Sequence, residues 1–216
     1  MITVTAFKQV PPFAQGLVRD LRVRWALEEA GIPYEEKLLG QGDGDAPEYR
    51  AVQPWGQVPI IEDDQFVLFE SGAIVLRIAE RSEALMPRDE AGRFKAIQWM
   101  FAALNSVEPS IQNLFAVDVF YVEEAWAKAR RPGAEAFVKV KLAPLIKRLR
   151  TREYLEDRFT AGDLLMVTVL RNLRHTDLVS GNPALSAYMA RCEARPAFQR
   201  ALKAQLAAFE REEVAA

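Results

Sequence analysis

QPWGQVPIIEDDQFVLFESGAIVLRIAE, residues 53–80, reads as loop, strand, tight turn, strand and helix. Val58, Ile60 and Ile61 make a short apolar run after Pro54 and Gly56. Asp63 and Asp64 supply the turn, and residues 66–69 form the returning strand. Glu70 and Ser71 then open a helix with apolar positions at Ile74, Val75 and Ile78. Pro59 stands at the mouth of a strand, where proline donates no ladder hydrogen bond and is often cis. Ser71 falls among amides that a helix start leaves unpaired, and such amides bind an anion. Two readings of the stretch are open. One is an ordinary hairpin followed by a capped helix. The other is a cradle for a small extended peptide, made of a proline-bent strand edge beside an anion-binding helix start.

The whole chain narrows the setting. At 216 residues it makes one large domain or two small ones, with a sizeable core. Half its residues are apolar and 27% are charged, the balance of a soluble globular protein. The net charge of −2 gives no support for a nucleic-acid or membrane-surface partner. One cysteine excludes an internal disulfide framework, and with one histidine it excludes the usual zinc sites, so no metal is expected. The sequence has no basic-then-apolar leader and no apolar run long enough to cross a bilayer, so a cytoplasmic protein is expected.

In chain order, residues 2–7 are a first strand by β-branched content. After the loop KQVPPFAQ, residues 16–30 are expected to be helical, ended by Gly31 as a left-handed cap with Pro33 beyond it. Residues 34–39 are a second strand. Asp45 with Glu48 suggests a capping box for a short helix with Pro47 in its first turn. A β-α-β start favours a parallel pair, and residues 58–69 favour an antiparallel hairpin; one mixed four-stranded sheet with helices on its faces holds both. Residues 81–90, RSEALMPRDE, are polar with a central proline and read as a linker. Everything beyond is helical. Phe94, Ile97, Phe101 and Leu104 stripe one helix, which Pro109 is expected to end, and RRPG at 130–133 is expected to break the next pattern. Thr160 with Asp163 forms a capping box flanked by Phe159 and Leu164, ahead of the apolar run DLLMVTVLRNL. Asn182-Pro183 opens a helix striped by Leu185, Tyr188, Met189 and Cys192, and Pro196 opens a last one striped by Phe198, Leu202, Leu206 and Phe209.

Five short motifs, in this order and spacing, resemble the cytosolic glutathione S-transferase family of bacterial type. QPWGQVP resembles its N-P-x-G-x-V-P, with Gln53 in place of asparagine. Glu70-Ser71 resembles its E-S dipeptide, and LMP at 85–87 sits in its linker position. TAGD at 160–163 resembles its T-x-A-D box, with Gly162 in place of alanine, and RPAF at 195–198 its C-terminal pattern. The resemblance spans almost the whole chain. It implies an α/β plus all-α architecture: a thioredoxin-like glutathione-binding domain over 1–82, a linker over 83–90 and an all-helical domain over 91–216. It implies glutathione as co-substrate, a small apolar electrophile, a role in detoxification and a homodimer. By the same resemblance Pro59 is cis and the Val58 backbone pairs with the cysteinyl backbone of glutathione. Ser71 and the helix-start amide then hold the γ-glutamyl carboxylate, Glu70 lies near its ammonium, and Gln57 contributes to the same end or to the cysteinyl segment.

The group that would ionise the thiol is missing. The family places a hydroxyl or cysteine just after the first strand, but residues 6–29 contain no Ser, Thr, Tyr or Cys. In one register the zone falls on LVRD at 17–20. In another, PFAQ matches a C-P-F-A-Q pattern and Pro11 replaces the cysteine. Lys8 and Arg19 are the side chains left to stabilise a thiolate by charge; the alternative for Arg19 is a solvated helix residue paired with nearby carboxylates. Cys192 reads as packing and His175 as structural. Three functions stay open: glutathione transfer to an electrophile, glutathione-dependent disulfide or peroxide reduction, and glutathione binding without catalysis.

Overall fold

The computed structural model describes residues 1–210; the end of the expected helical domain, 211–216, lies outside the described residues. A mixed four-stranded sheet, in the order β2-β1-β3-β4, is built from β1 (Ile2–Phe7), β2 (Tyr34–Leu39), β3 (Ile61–Glu62) and β4 (Val67–Leu68). β1 and β2 run parallel, Ile2 opposite Tyr34 through Phe7 opposite Leu39. β3 is antiparallel to both β1 and β4, with Ile61 opposite Val4 on one side and Leu68 on the other. A parallel pair needs a crossover, which α1 (Asp20–Ala30) supplies. Gly31 ends α1 at φ 67, and the Ile32 amide returns to the Leu27 carbonyl at 3.0 Å.

α1 packs against β1, α3 (Ser71–Ala79) and α9 (Pro196–Glu210). Val4, Val23, Trp25, Leu27, Ile74 and Val75 are fully buried there. Such side chains are worth about 1.5–3 kcal/mol each when removed from water. Trp25 meets Phe198 of α9 edge-on, with ring centroids 4.8 Å apart. The chain accordingly divides into two compact units, one of Met1–Met86 with the segment from Ala194 onward, the other Pro87–Glu193. The last helix thus belongs with the sheet, whereas the motif order grouped it with the helical half.

Two local expectations fail in the first unit. The helix expected from Gly16 begins at Asp20, because Pro12–Ala14 form a 3-10 turn and Gly16 takes φ 75, a left-handed value that interrupts a helix. The Asp45–Glu48 capping box does not form: α2 (Pro47–Val52) has no side-chain cap, and Asp45 instead accepts from Arg50 at 2.5 Å.

The second unit is helical throughout: α4 (Glu90–Phe101), α5 (Glu108–Phe115), α6 (Ala125–Leu149), α7 (Ala161–Leu170) and α8 (Pro183–Glu193). All ten residues of α7 are buried. The capping box at its start is present, the Thr160 amide donating to Asp163 at 2.9 Å. Asp163 also accepts from the Leu155 amide at 2.8 Å and the Tyr188 hydroxyl at 3.0 Å. The stripe expected on α4 faces the wrong way. Phe94 and Phe101 are 56% and 57% exposed, and the buried face is Ala96, Met100, Ala103 and Val107. Close approach of α4 to α7 favours small residues at the contact. A Cβ on Gly162 would lie 2.5 Å from the Trp99 Cβ. Pro109 does not end a helix but sits in the first turn of α5, after a wider π turn in which the Glu108 amide reaches back to the Ala103 carbonyl. Nor does RRPG break α6. Arg131, Pro132 and Gly133 are exposed, so water can reach the carbonyl that Pro132 leaves unpaired, while Ala127, Ala134 and Val138 keep the buried stripe.

Candidate functional site

The start of α3 carries the first half of the site. Glu70 precedes it at φ 68 and ψ 109, and no side chain caps the helix. The first intrahelical bond runs from the Ile74 amide to the Glu70 carbonyl at 2.9 Å. Among the described residues the amides of Ser71, Gly72 and Ala73 therefore have no partner. Ser71 is buried at 5% exposure, and its Oγ accepts from Arg22 Nη1 at 3.2 Å. Arg22, itself only 3% exposed, comes from α1 and was not among the sequence candidates. The signal that could have found it is the RVR run at 22–24: two charges inside a helix with apolar stripes on both sides need partners if the helix is buried.

The loop before β3 carries the second half. Gln53 takes the place of the family's asparagine without loss of the turn: its Oε1 accepts from the Trp55 amide at 2.9 Å, and its carbonyl accepts from Gly56 at 2.9 Å. Gly56 sits at φ 64, where a Cβ would fall 2.5 Å from the Gly44 carbonyl oxygen. The Tyr49 hydroxyl donates to the Gln57 carbonyl at 2.7 Å, and Thr5 Oγ1 accepts from the Ile60 amide at 2.8 Å. Between these anchors the Val58–Pro59 peptide is cis. The Val58 side chain is buried with Leu39, Tyr49 and Ile60. Its backbone amide and carbonyl have no hydrogen-bond partner among the described residues.

The sheet leads into both halves. The β3–β4 ladder ends at Ile61–Leu68, two residues after Pro59 on one strand and two before Glu70 on the other. On the β1 side the Thr5 amide donates to the Ile60 carbonyl at 3.0 Å, two residues ahead of Phe7, the last residue of β1. Gln57 is exposed beside them, and Trp55 packs on Phe69 at 5.5 Å. Lys8 follows Phe7, is exposed, and donates its amide to the Leu39 carbonyl at 2.8 Å. It lines a cleft of about 900 Å³ between the loops after β1 and β2, with Gln9, Gln41 and Gly56 on the same wall. Arg19 is exposed immediately before α1, three residues ahead of Arg22. Behind it Asp20 is buried and occupied: it accepts from Arg24 at 2.7 Å and from Gln205 at 2.6 Å, and Arg24 also pairs with Glu36. Burial pushes the Asp20 carboxyl up, opposed by the adjacent Arg24 guanidinium.

The two residues read as structural sit in the helical unit. Cys192 is fully buried in α8, and His175 Nε2 lies 3.1 Å from Asp118 with its ring edge-on to Phe115. Among the described residues no cluster of His, Cys, Asp and Glu is arranged to hold a metal, and no helix is long and apolar enough to cross a membrane.

Known proteins are similar to this chain in sequence and fold. The family model described as glutathione S-transferase, N-terminal domain, matches residues 21–81. Glutathione S-transferase 4 of Zea mays is 30% identical over 188 residues, covering 82% of this chain and 83% of that one. Glutathione S-transferase GstA of Escherichia coli O157:H7 is 30% identical over 176 residues, covering 79% and 82%. A glutathione transferase from Burkholderia graminis, solved with two glutathione molecules bound per subunit, is 29% identical with a TM-score of 0.81, covering 93% of this chain and 87% of that one. With its N-terminal domain matched over the strand edge and helix start, and its relatives aligned over most of both lengths, the chain belongs to the glutathione S-transferase family.

Proposed function

We propose that the protein binds glutathione across the Val58 edge and the start of α3, and conjugates its thiol to a small apolar electrophile. One observation carries this reading: among the described residues the Val58 backbone beside the cis Pro59 is unpaired, and α3 opens on a buried Ser71 with three unpaired amides. An extended peptide satisfies the first and an α-carboxylate the second. In this reading the Val58 amide and carbonyl pair with the cysteinyl residue, and Pro59 shapes that edge. Ser71 and the first amides of α3 hold the γ-glutamyl carboxylate, Glu70 faces the ammonium, and Gln57 borders the same end. Hydrogen bonds to a charged group are worth about 1.5–3 kcal/mol each. A free thiol has a pKa near 8.5, and this reading assigns to the charges of Lys8 and Arg19 the role of favouring its thiolate. The reading includes a cytoplasmic homodimer with a glutathione-binding half over 1–82, on which α9 packs, and a helical half that begins at residue 91. Titration calorimetry tests it. Glutathione should bind, and Ser71→Ala and Glu70→Ala should each weaken binding about tenfold or more. Absence of binding by the unmodified protein overturns it.

A second reading is glutathione-dependent reduction of a disulfide. It is favoured by the absence of any hydroxyl or thiol side chain between Ala6 and Glu29, and by the relative that holds two glutathione molecules per subunit. In such a reaction two glutathione thiols give two electrons to the disulfide and leave as glutathione disulfide. Turnover of a chlorinated aromatic against turnover of a mixed disulfide separates the two enzymes. Binding with neither turnover identifies a non-catalytic glutathione-binding member.

A further inference from the structure

We infer that Arg22 is a positioning residue that makes Ser71 a dedicated hydrogen-bond donor to an anionic group at the start of α3. The inference rests on the glutathione reading of that site and deepens it. A guanidinium has five N–H donors and no acceptor. In the 3.2 Å contact between Arg22 Nη1 and Ser71 Oγ the serine oxygen is therefore the acceptor. Its single hydrogen is left for another partner, and among the described residues none accepts it. Ser71 is 5% exposed, so little water competes for that hydrogen. The amides of Ser71, Gly72 and Ala73 add three more donors without acceptors. A site that offers donors alone suits a carboxylate, which only accepts.

A serine hydroxyl inside a helix commonly turns back to a carbonyl of the preceding turn, but Ser71 opens α3 and has no such turn. The donor held against Oγ by a side chain from another helix, 49 positions away in sequence, fills one of its two lone pairs and turns the hydroxyl proton away from Arg22. Arg22 touches Ser71 and works through it, so its effect should appear only with ligands that carry the carboxylate.

The test compares glutathione with γ-aminobutyryl-cysteinyl-glycine, the same peptide without the glutamyl α-carboxylate, by calorimetry on the full chain. Arg22→Gln offers the hydroxyl an acceptor and lets it turn away from the ligand. It should weaken glutathione about tenfold and leave the shortened peptide's affinity unchanged. Arg22→Lys keeps a donor-only head and should stay within about threefold for both peptides. Adding Arg22→Gln to Ser71→Ala should cost no further affinity, because the group it positions is already gone. An equal loss for both peptides, or additive losses in the double variant, overturns the inference and leaves glutathione binding standing. Should Arg22→Gln fail to fold, Arg22→Lys decides through the same cycle: an equal loss of tenfold or more for both peptides overturns the inference, and near-parent affinity for both upholds it. If the unmodified protein binds no glutathione, the underlying reading and this inference fall together.

Discussion

Glu70 is the residue at which backbone preference and the proposed ligand pull in opposite directions. Its φ of 68 with ψ of 109 lies outside the regions a residue with a Cβ adopts readily. Conformations of this kind cost on the order of 1–3 kcal/mol. Glu70→Gly should therefore be about 1 kcal/mol more stable than Glu70→Ala in thermal unfolding, while both lose glutathione affinity in calorimetry. An alanine variant as stable as the glycine variant would show that the backbone there is relaxed. The Glu70-Ser71 dipeptide was legible in the sequence as a motif. The strained backbone was not, since no glycine marks it. Arg22 left a weaker signal. The RVR run calls for partners only where the helix is buried, and only the tertiary fold buries α1 and places Arg22 against Ser71.

At the scale of elements, the β3–β4 turn depends on Asp63. Its Oδ1 accepts from the Gln65 and Phe66 amides at 3.0 and 3.2 Å, and its Oδ2 accepts from Arg77 of α3 at 2.8 Å. The turn amides, Gln65's first, hold this carboxyl below the usual aspartate range, with Arg77 adding to the effect. A carboxyl whose pKa is lower in the folded state adds stability above its unfolded value, and that stability is lost as pH falls through the folded value. Asp63→Asn should thus lower the urea midpoint at about pH 7, and the gap to the parent should narrow as pH falls below the usual aspartate range; a gap independent of pH would count against the charge.

The α4–α7 contact gives a second expectation. The family box carries alanine where this chain has Gly162, but here a Cβ would meet the Trp99 Cβ at 2.5 Å and the Ala96 carbonyl at 3.2 Å. Gly162→Ala should destabilise by about 1–3 kcal/mol despite restoring the family residue, as a shift in denaturant midpoint would show. Caps and periodic stripes were legible at this scale: the Thr160–Asp163 box, the Gly31 cap and the buried face of α8 follow their local patterns. The failures at Gly16, Pro109 and RRPG share a cause. Each treats a glycine or proline as a stop or an allowance by itself, whereas backbone φ, a preceding π turn or solvent exposure decides what the residue does.

For the whole molecule, binding and folding are linked. A ligand that binds the folded chain alone stabilises it by about 2.7 kcal/mol at a hundred times its Kd. Glutathione should therefore raise the melting temperature, and Ser71→Ala, binding about tenfold more weakly, should remove about half of the rise at the same concentration. An unchanged melting temperature at saturating glutathione would contradict the proposed site. The sequence by itself determined the strands, the α3 start and the family, because alternation, caps and short motifs are written in neighbouring residues. Only the tertiary structure decided that α9 packs on α1, that Gln205 and Arg24 share the buried Asp20, that Gly162 of α7 lies against Trp99 and Ala96 of α4, and that Arg22 reaches Ser71. Each of these depends on close approach between segments far apart in the chain, and close packing and the need to pair buried polar groups select such contacts only once the elements have assembled.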